Sequence, residues 1–192
     1  MIMGSDAGDV KVALDMGRKS GRDVWFPYYP LCTHYSMLDA VKMVYKTYRQ
    51  MLLEYPAGKI AIVGFSSGAG LALNLISYMN LTRKQLPMPE KLLLSSPGTC
   101  PANGEEFVAM EALNDRDVLI DSAYMKTAGE IMRYGDPNVP DELIYITTGD
   151  FTGAPMTHFF YGGDEVLRAC AEPFAKAFDK VGAKYTIEID FK

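Results

Sequence analysis

Lys59-Ile-Ala-Ile-Val-Gly-Phe-Ser-Ser-Gly-Ala-Gly-Leu-Ala-Leu73 carries the clearest fold signal in the sequence. An apolar, β-branched run leads into a glycine-bounded turn, and the turn leads into a segment that opens on small residues. That order reads as a buried strand, a sharp corner and a helix. Inside the corner, Gly64-Phe65-Ser66-Ser67-Gly68 fits G-x-S-x-G, the nucleophile elbow. A serine held on a strained strand-to-helix corner needs neighbours without a Cβ, so Gly64 and Gly68 are expected to let strand and helix approach closely. Ser66 would then sit at a helix N-terminus, where backbone N–H groups favour developing negative charge. A pentapeptide this short also arises by chance, so its surroundings must carry the reading.

Upstream of the corner, residues 7–19 place Val10, Val12, Ala13, Leu14 and Met16 in a helical pattern that Gly21 stops. Asp23-Val-Trp-Phe-Pro-Tyr-Tyr is a short aromatic and β-branched run and predicts a strand ending at Pro30. Ser36 followed by Asp39 resembles a capping box, and Leu38, Val41, Val44, Tyr45, Tyr48, Met51, Leu52 and Tyr55 then line one helical face. Pro56-Ala-Gly is a turn. Downstream, 67–80 predicts an apolar helix, Lys91-Leu-Leu-Leu-Ser a strand closed by Pro97-Gly98, and 155–161 a further strand followed by Gly162-Gly163. Residues 165–181 read as helical and 184–191 alternate as a last strand. Between them, 99–150 carries scattered acids, short helical pieces and several Pro and Gly turns, and is expected to be a lid-like insertion over the sheet's edge. Strands alternating with helices predict an α/β protein with a mostly parallel sheet.

The 192 residues suit one domain with a substantial core, and 48% hydrophobic content agrees. A net charge of -5 and the lack of any basic stripe argue against a nucleic-acid surface. Cys32, Cys100 and Cys170 are odd in number and far apart, which predicts reduced structural thiols in a cytoplasmic setting. No apolar run is long enough for a membrane span, and two isolated histidines without clustered partners give no metal site. The twelve Met suit an apolar acyl pocket, and core packing explains them equally well.

Four ordered blocks resemble the α/β-hydrolase fold, in its esterase and lipase branch related to hormone-sensitive lipase. Tyr29-Pro-Leu-Cys-Thr-His34 is similar to Y-R-L-A-P-E-H, and Gly64 to Leu71 is similar to G-D-S-A-G-G-N-L. Gly149-Asp-Phe-Thr-Gly-Ala-Pro155 resembles the segment before the catalytic acid, and Gly162-Gly-Asp-Glu-Val-Leu-Arg168 resembles the acid's own loop, G-x-x-D-x-L-R. The resemblance implies a serine carboxylester hydrolase, without a cofactor, acting on a small-molecule ester through an acyl-enzyme. It makes Ser66 the nucleophile and the Ser67 N–H one oxyanion donor. Counting three residues from Gly162 lands on Glu165 as the acid, with the adjacent Asp164 as its rival.

Three departures accompany the resemblance. Phe65 stands where the branch often has Asp, and Gly68-Ala69-Gly70 replaces Gly-Gly-Asn. The oxyanion loop H-G-G-G and the catalytic histidine have no counterpart in the sequence. They would lie before residue 1 and after residue 192, so a fragment incomplete at both ends and hydrolytically weak is expected. That expectation leaves a leader sequence upstream open. His34 and His158 are both expected to be structural, because no histidine follows Glu165 in the Ser, acid, His order. Without the H-G-G-G strand, which in the family lies between the Asp23 and Lys59 strands, these two must close up or leave unpaired edges.

Two other functional classes fit parts of the sequence. A non-catalytic hydrolase-fold binding protein would show the same incomplete triad. Gly64-x-x-x-Gly68-x-Gly70 also reads as the phosphate turn of a short-chain dehydrogenase binding NAD(P). The matching Y-x-x-x-K is misplaced, since Tyr55 to Lys59 lies upstream across a turn. The oligomeric state stays open, a dimer included.

Overall fold

Capping residues in the sequence set where the first helices begin. The computed structural model describes Ile2 and residues 4–191. Asp6 and Asp9 form a capping box at the start of α1 (Ala7–Ser20), which ends at Gly21 with φ 66°. Ser36 and Asp39 do the same for α2 (Met37–Met51), as their spacing predicts. Then follow β1 (Ala61–Phe65), α3 (Ser67–Thr82) and β2 (Lys91–Ser95). Next come α4 (Gly104–Glu111), α5 (Ser122–Arg133), the single turn α6 (Asp141–Ile144) and β3 (Met156–Gly162). The chain closes with α7 (Ala171–Lys180) and β4 (Tyr185–Asp190).

The four strands form one parallel sheet flanked by helices, in the order β1-β2-β3-β4. Adjacent parallel strands joined in chain order by right-handed crossovers send every crossover to the same face. Alternate side chains record this. Leu92, Leu94, Phe159 and Tyr161 are buried on the helical face. The opposite face carries the row Phe65, Ser95, Phe160 and Glu188, with Val63 in the row below, and Val63, Phe65 and Phe160 are 43%, 53% and 40% exposed.

α3 is the central helix. It buries every residue from Ala69 to Met79 because β1, α2 and α6 surround it, as an all-round apolar helix requires. α7 is fastened by rings. Phe151 stacks on Phe178 with centroids 4.8 Å apart, and Phe159 of β3 stacks on Phe174 at 5.6 Å. Residues 99–150 contribute α4 to α6, whose Met110, Met125, Met132 and Leu143 join the same core as α3. The stretch 165–181, expected as one helix, is a 3₁₀ turn over Val166–Cys170 followed by α7.

One expected element does not form. Residues 23–29 belong to no strand and no helix. A strand needs a ladder partner, and β1, at the sheet's edge, pairs only with β2. Residues 23–29 and β1 therefore do not pair with each other. Side chains hold the segment instead: the Tyr55 hydroxyl donates to Asp23 Oδ2 at 2.7 Å, and the Tyr29 hydroxyl lies 3.2 Å from Ser67 Oγ.

The three cysteines are free and buried. Burial pushes all three thiols up, that of Cys100 to about 12, so none offers a thiolate near neutral pH. Among the described residues, no helix is long and apolar enough to cross a membrane.

Phe178→Ala removes the ring that meets Phe151, Phe159 and Tyr185. Urea unfolding should record a loss of about 3–5 kcal/mol, as for other buried aromatic truncations. Val12→Ala, on the exposed α1, should stay within about 0.5 kcal/mol of the parent.

Candidate active site

The corner between β1 and α3 is built on a close backbone approach. A Cβ at Gly64 would lie 2.5 Å from Ala69 Cα and 2.6 Å from its nitrogen, so only glycine fits. Gly68, expected to serve the same end, has open space where a Cβ would lie, with nothing within 4 Å. The second tight contact is made by Gly70, whose Cβ would lie 2.4 Å from the Gly98 carbonyl oxygen. Ser66 pivots the corner at φ 48° and ψ -115°, a region that side-chain-bearing residues seldom enter. Its backbone is fixed on both sides. The Ser66 N–H donates to the Ser95 carbonyl at 2.9 Å, and the Ser66 carbonyl accepts from Gly98 at 2.9 Å and Gly70 at 3.1 Å.

The Ser66 side chain makes no capping bond to its own helix and the residue is exposed. It stands at the N-terminus of a 16-residue helix, whose first-turn N–H groups, that of Ser67 included, have no intrahelical acceptor. The hydroxyl of Ser67 itself faces Tyr29.

The two candidate acids part company. Asp164 is 67% exposed and pairs with Arg116 at 3.5 Å, a surface ion pair of little energetic weight. Glu165 turns inward, and its Oε2 accepts a 2.5 Å hydrogen bond from Ser96 Oγ. Gly162 makes room for it, since a Cβ there would lie 2.9 Å from Glu165 Oε1. Asp117, from the 99–150 segment, braces the same loop by accepting from the Val166 N–H at 2.7 Å. Tyr161, buried just before this loop, has a hydroxyl without a hydrogen-bond partner; burial first, then Cys170 and Glu165, hold it well above the usual phenol range.

Neither histidine bonds to these groups. His34 is exposed, with Nδ1 2.9 Å from its neighbour Thr33 Oγ1. His158 projects from the open face of β3, with Nδ1 2.9 Å from Thr186 Oγ1. In the register it is level with Val63, three residues before Ser66, which is roughly 10 Å along the strand direction. A hollow of about 370 Å³ at the strand ends is lined by Ser95, Phe160, Gly162 and Glu188. A larger one of about 660 Å³, lined by Leu81, Glu106, Thr147 and Lys176, includes none of the candidate residues.

Ser96, Asp117 and Tyr29 thus hold the candidate residues in place. Sequence alone does not single out Ser96 or Asp117. The only signal at Ser96 is Ser-Pro-Gly after a strand, which reads as an ordinary turn.

A parallel α/β sheet with a strained serine between strand and helix defines a class, the α/β hydrolases. The family model described as alpha/beta hydrolase fold matches residues 1–189, and this chain belongs to that family. It is 29% identical over 190 residues to an acetyl-hydrolase of Streptomyces hygroscopicus, covering 97% of this chain and 61% of that protein. Among solved structures, an esterase/lipase from an uncultured bacterium shares the fold at a TM-score of 0.80 and 20% identity, over 98% of this chain and 62% of its own. A hormone-sensitive lipase from a metagenome library shares it at 0.75 and 23%, over 91% and 59%. The chain thus spans about 60% of the length of these relatives. The family match over residues 1–189 leaves the dinucleotide reading of the Gly64 to Gly70 turn without support.

Gly64→Ala should destabilise the protein by about 3 kcal/mol, because the clash is with backbone that cannot swing away. Ser66→Gly should do the opposite and gain about 1 kcal/mol by relieving the positive φ. Thermal and urea unfolding of the two variants check the pair together.

Proposed function

We propose that this chain carries the nucleophile and acid of a serine carboxylester hydrolase that acts on a small-molecule ester. Ser66 Oγ attacks the ester carbonyl, the Ser67 N–H receives the oxyanion, and an acyl-enzyme forms that water then releases. Glu165, rather than Asp164, orients the general base and balances its charge. One observation carries this reading: an exposed serine with an uncommitted hydroxyl, in a strained conformation at a helix N-terminus. Strain of this kind persists only where the surrounding backbone enforces it, and here Ser95, Gly98 and Gly70 do so.

A base is the remaining requirement. Neither histidine hydrogen-bonds to Ser66 or Glu165, and from this we infer that the stretch alone turns esters over slowly. The same observation favours the second reading, a hydrolase-fold protein that binds an ester-like ligand without cleaving it. The 99–150 segment, which braces the acid loop through Asp117, is proposed to act as a lid-like cover bearing on the acyl group. The three free, buried thiols fit a reducing, cytoplasmic compartment.

Imidazole supplied in solution should substitute for the base. Turnover of p-nitrophenyl acetate is expected to rise with imidazole beyond the uncatalysed imidazole reaction. That increment should vanish in Ser66→Ala and fall about a hundredfold or more in Glu165→Ala, as when the carboxylate that orients a general base is lost. An increment that survives Ser66→Ala removes the nucleophile assignment. No increment at all favours the binding reading.

A further inference from the structure

Four residues other than glycine have positive φ among the described residues: Ser66, Arg83, Ser96 and Tyr134. Arg83 and Tyr134 cap the C-termini of α3 and α5, where a left-handed residue is the usual way to end a helix. The other two are serines that directly follow the last residues of adjacent strands, Ser66 after β1 and Ser96 after β2. Ser96 has φ 48° like Ser66, yet it caps nothing.

Its contacts say what it holds. The turn of residues 95–98 touches both halves of the candidate site. The Ser95 carbonyl accepts the Ser66 N–H, and the Gly98 N–H donates to the Ser66 carbonyl, both at 2.9 Å. Between these two, the Ser96 N–H donates to the Phe160 carbonyl at 2.8 Å, which ties the turn to β3. The Ser96 hydroxyl then donates to Glu165 Oε2 at 2.5 Å. Three adjacent strand ends are therefore linked through one turn, and its strained residue is the one that grips the carboxylate. A short bond from a hydroxyl to a carboxylate is charge-assisted and orients the acceptor strongly. Pro97 and Gly98 are buried, so the turn cannot drift outward to release it.

We propose that Ser96 is a positioning residue, which fixes the Glu165 carboxylate relative to Ser66 through the 95–98 turn. This rests on the reading of Glu165 as the acid. The positive φ at Ser96 is the cost of aiming its hydroxyl at the carboxylate while the flanking residues stay bonded to the Ser66 backbone. A glycine would take the same backbone more comfortably but would leave Glu165 unheld.

The test uses Ser96→Gly, which keeps the left-handed backbone and removes only the hydroxyl, with Ser96→Asn as the variant that tolerates positive φ and restores a donor. The melting temperature of Ser96→Gly should not fall below that of the parent. Carbodiimide-driven amidation of Glu165, followed by peptide mass spectrometry against the exposed Glu172 as internal reference, should quicken roughly tenfold, as for one lost charge-assisted hydrogen bond. The Ser66-dependent, imidazole-stimulated kcat should fall by a similar factor with KM unchanged, and Ser96→Asn should recover part of both. An unchanged labelling rate in Ser96→Gly overturns the proposal, and so does faster labelling with unchanged kcat. If the parent shows no Ser66-dependent turnover, the ester-hydrolase reading fails first, and the labelling rate alone then upholds or overturns the hold of Ser96 on Glu165.

Discussion

The structure depends on one close approach, that of Gly64 to Ala69 across the corner between β1 and α3. With 2.5 Å between a would-be Cβ and the Ala69 Cα, strand and helix meet backbone to backbone. The chain can turn that sharply only if the residue at the pivot accepts a positive φ, and that residue is Ser66. Everything near the candidate site follows from holding this corner shut. Gly70 lies against the Gly98 carbonyl for the same reason, and the Ser95 and Gly98 backbones clasp Ser66 from the β2 side. The stability that Ser66 forgoes is recovered in the packing of α3, which is buried from Ala69 to Met79.

The sheet has a second constraint. Because its strands run in chain order, the crossovers gather on one face, and the rings of Phe151, Phe159, Phe174 and Phe178 seal that side. The strand ends on the β1 to β3 side thereby stay fixed relative to one another. This gives the turns after β1, β2 and β3 a common frame in which Ser66, Ser96 and Glu165 are held. The opposite face keeps Val63, Phe65 and Phe160 in solvent, and α1 buries none of its residues.

Local patterns make much of this legible in advance. The capping boxes at Asp6 and Ser36, the apolar run of α3 and the short strands flanked by turn residues all act within a few residues, so sequence reading finds them. The strand expected at residues 23–29 does not form because pairing is not local: its aromatic and β-branched residues have the propensity, but the segment lies in no ladder with β1 or any other strand. The glycine roles are half legible. Gly64 is required by contact as expected, whereas the crowding sits at Gly70 and not Gly68, because it depends on Gly98 of a distant turn. The inward turn of Glu165 is likewise hidden, since neither the room left by Gly162 nor the hydroxyl of Ser96 can be read from the order of residues around it.

We propose that the strained hydroxyl of Ser66 forms a covalent acyl intermediate. The most direct measurement is mass spectrometry of the protein quenched in acid after brief exposure to p-nitrophenyl acetate and imidazole. One acetyl group is expected, located by fragmentation on Ser66 and absent when that residue is alanine. An acetyl group found on Ser67, Ser96 or scattered lysines, with Ser66 unmodified, would contradict it.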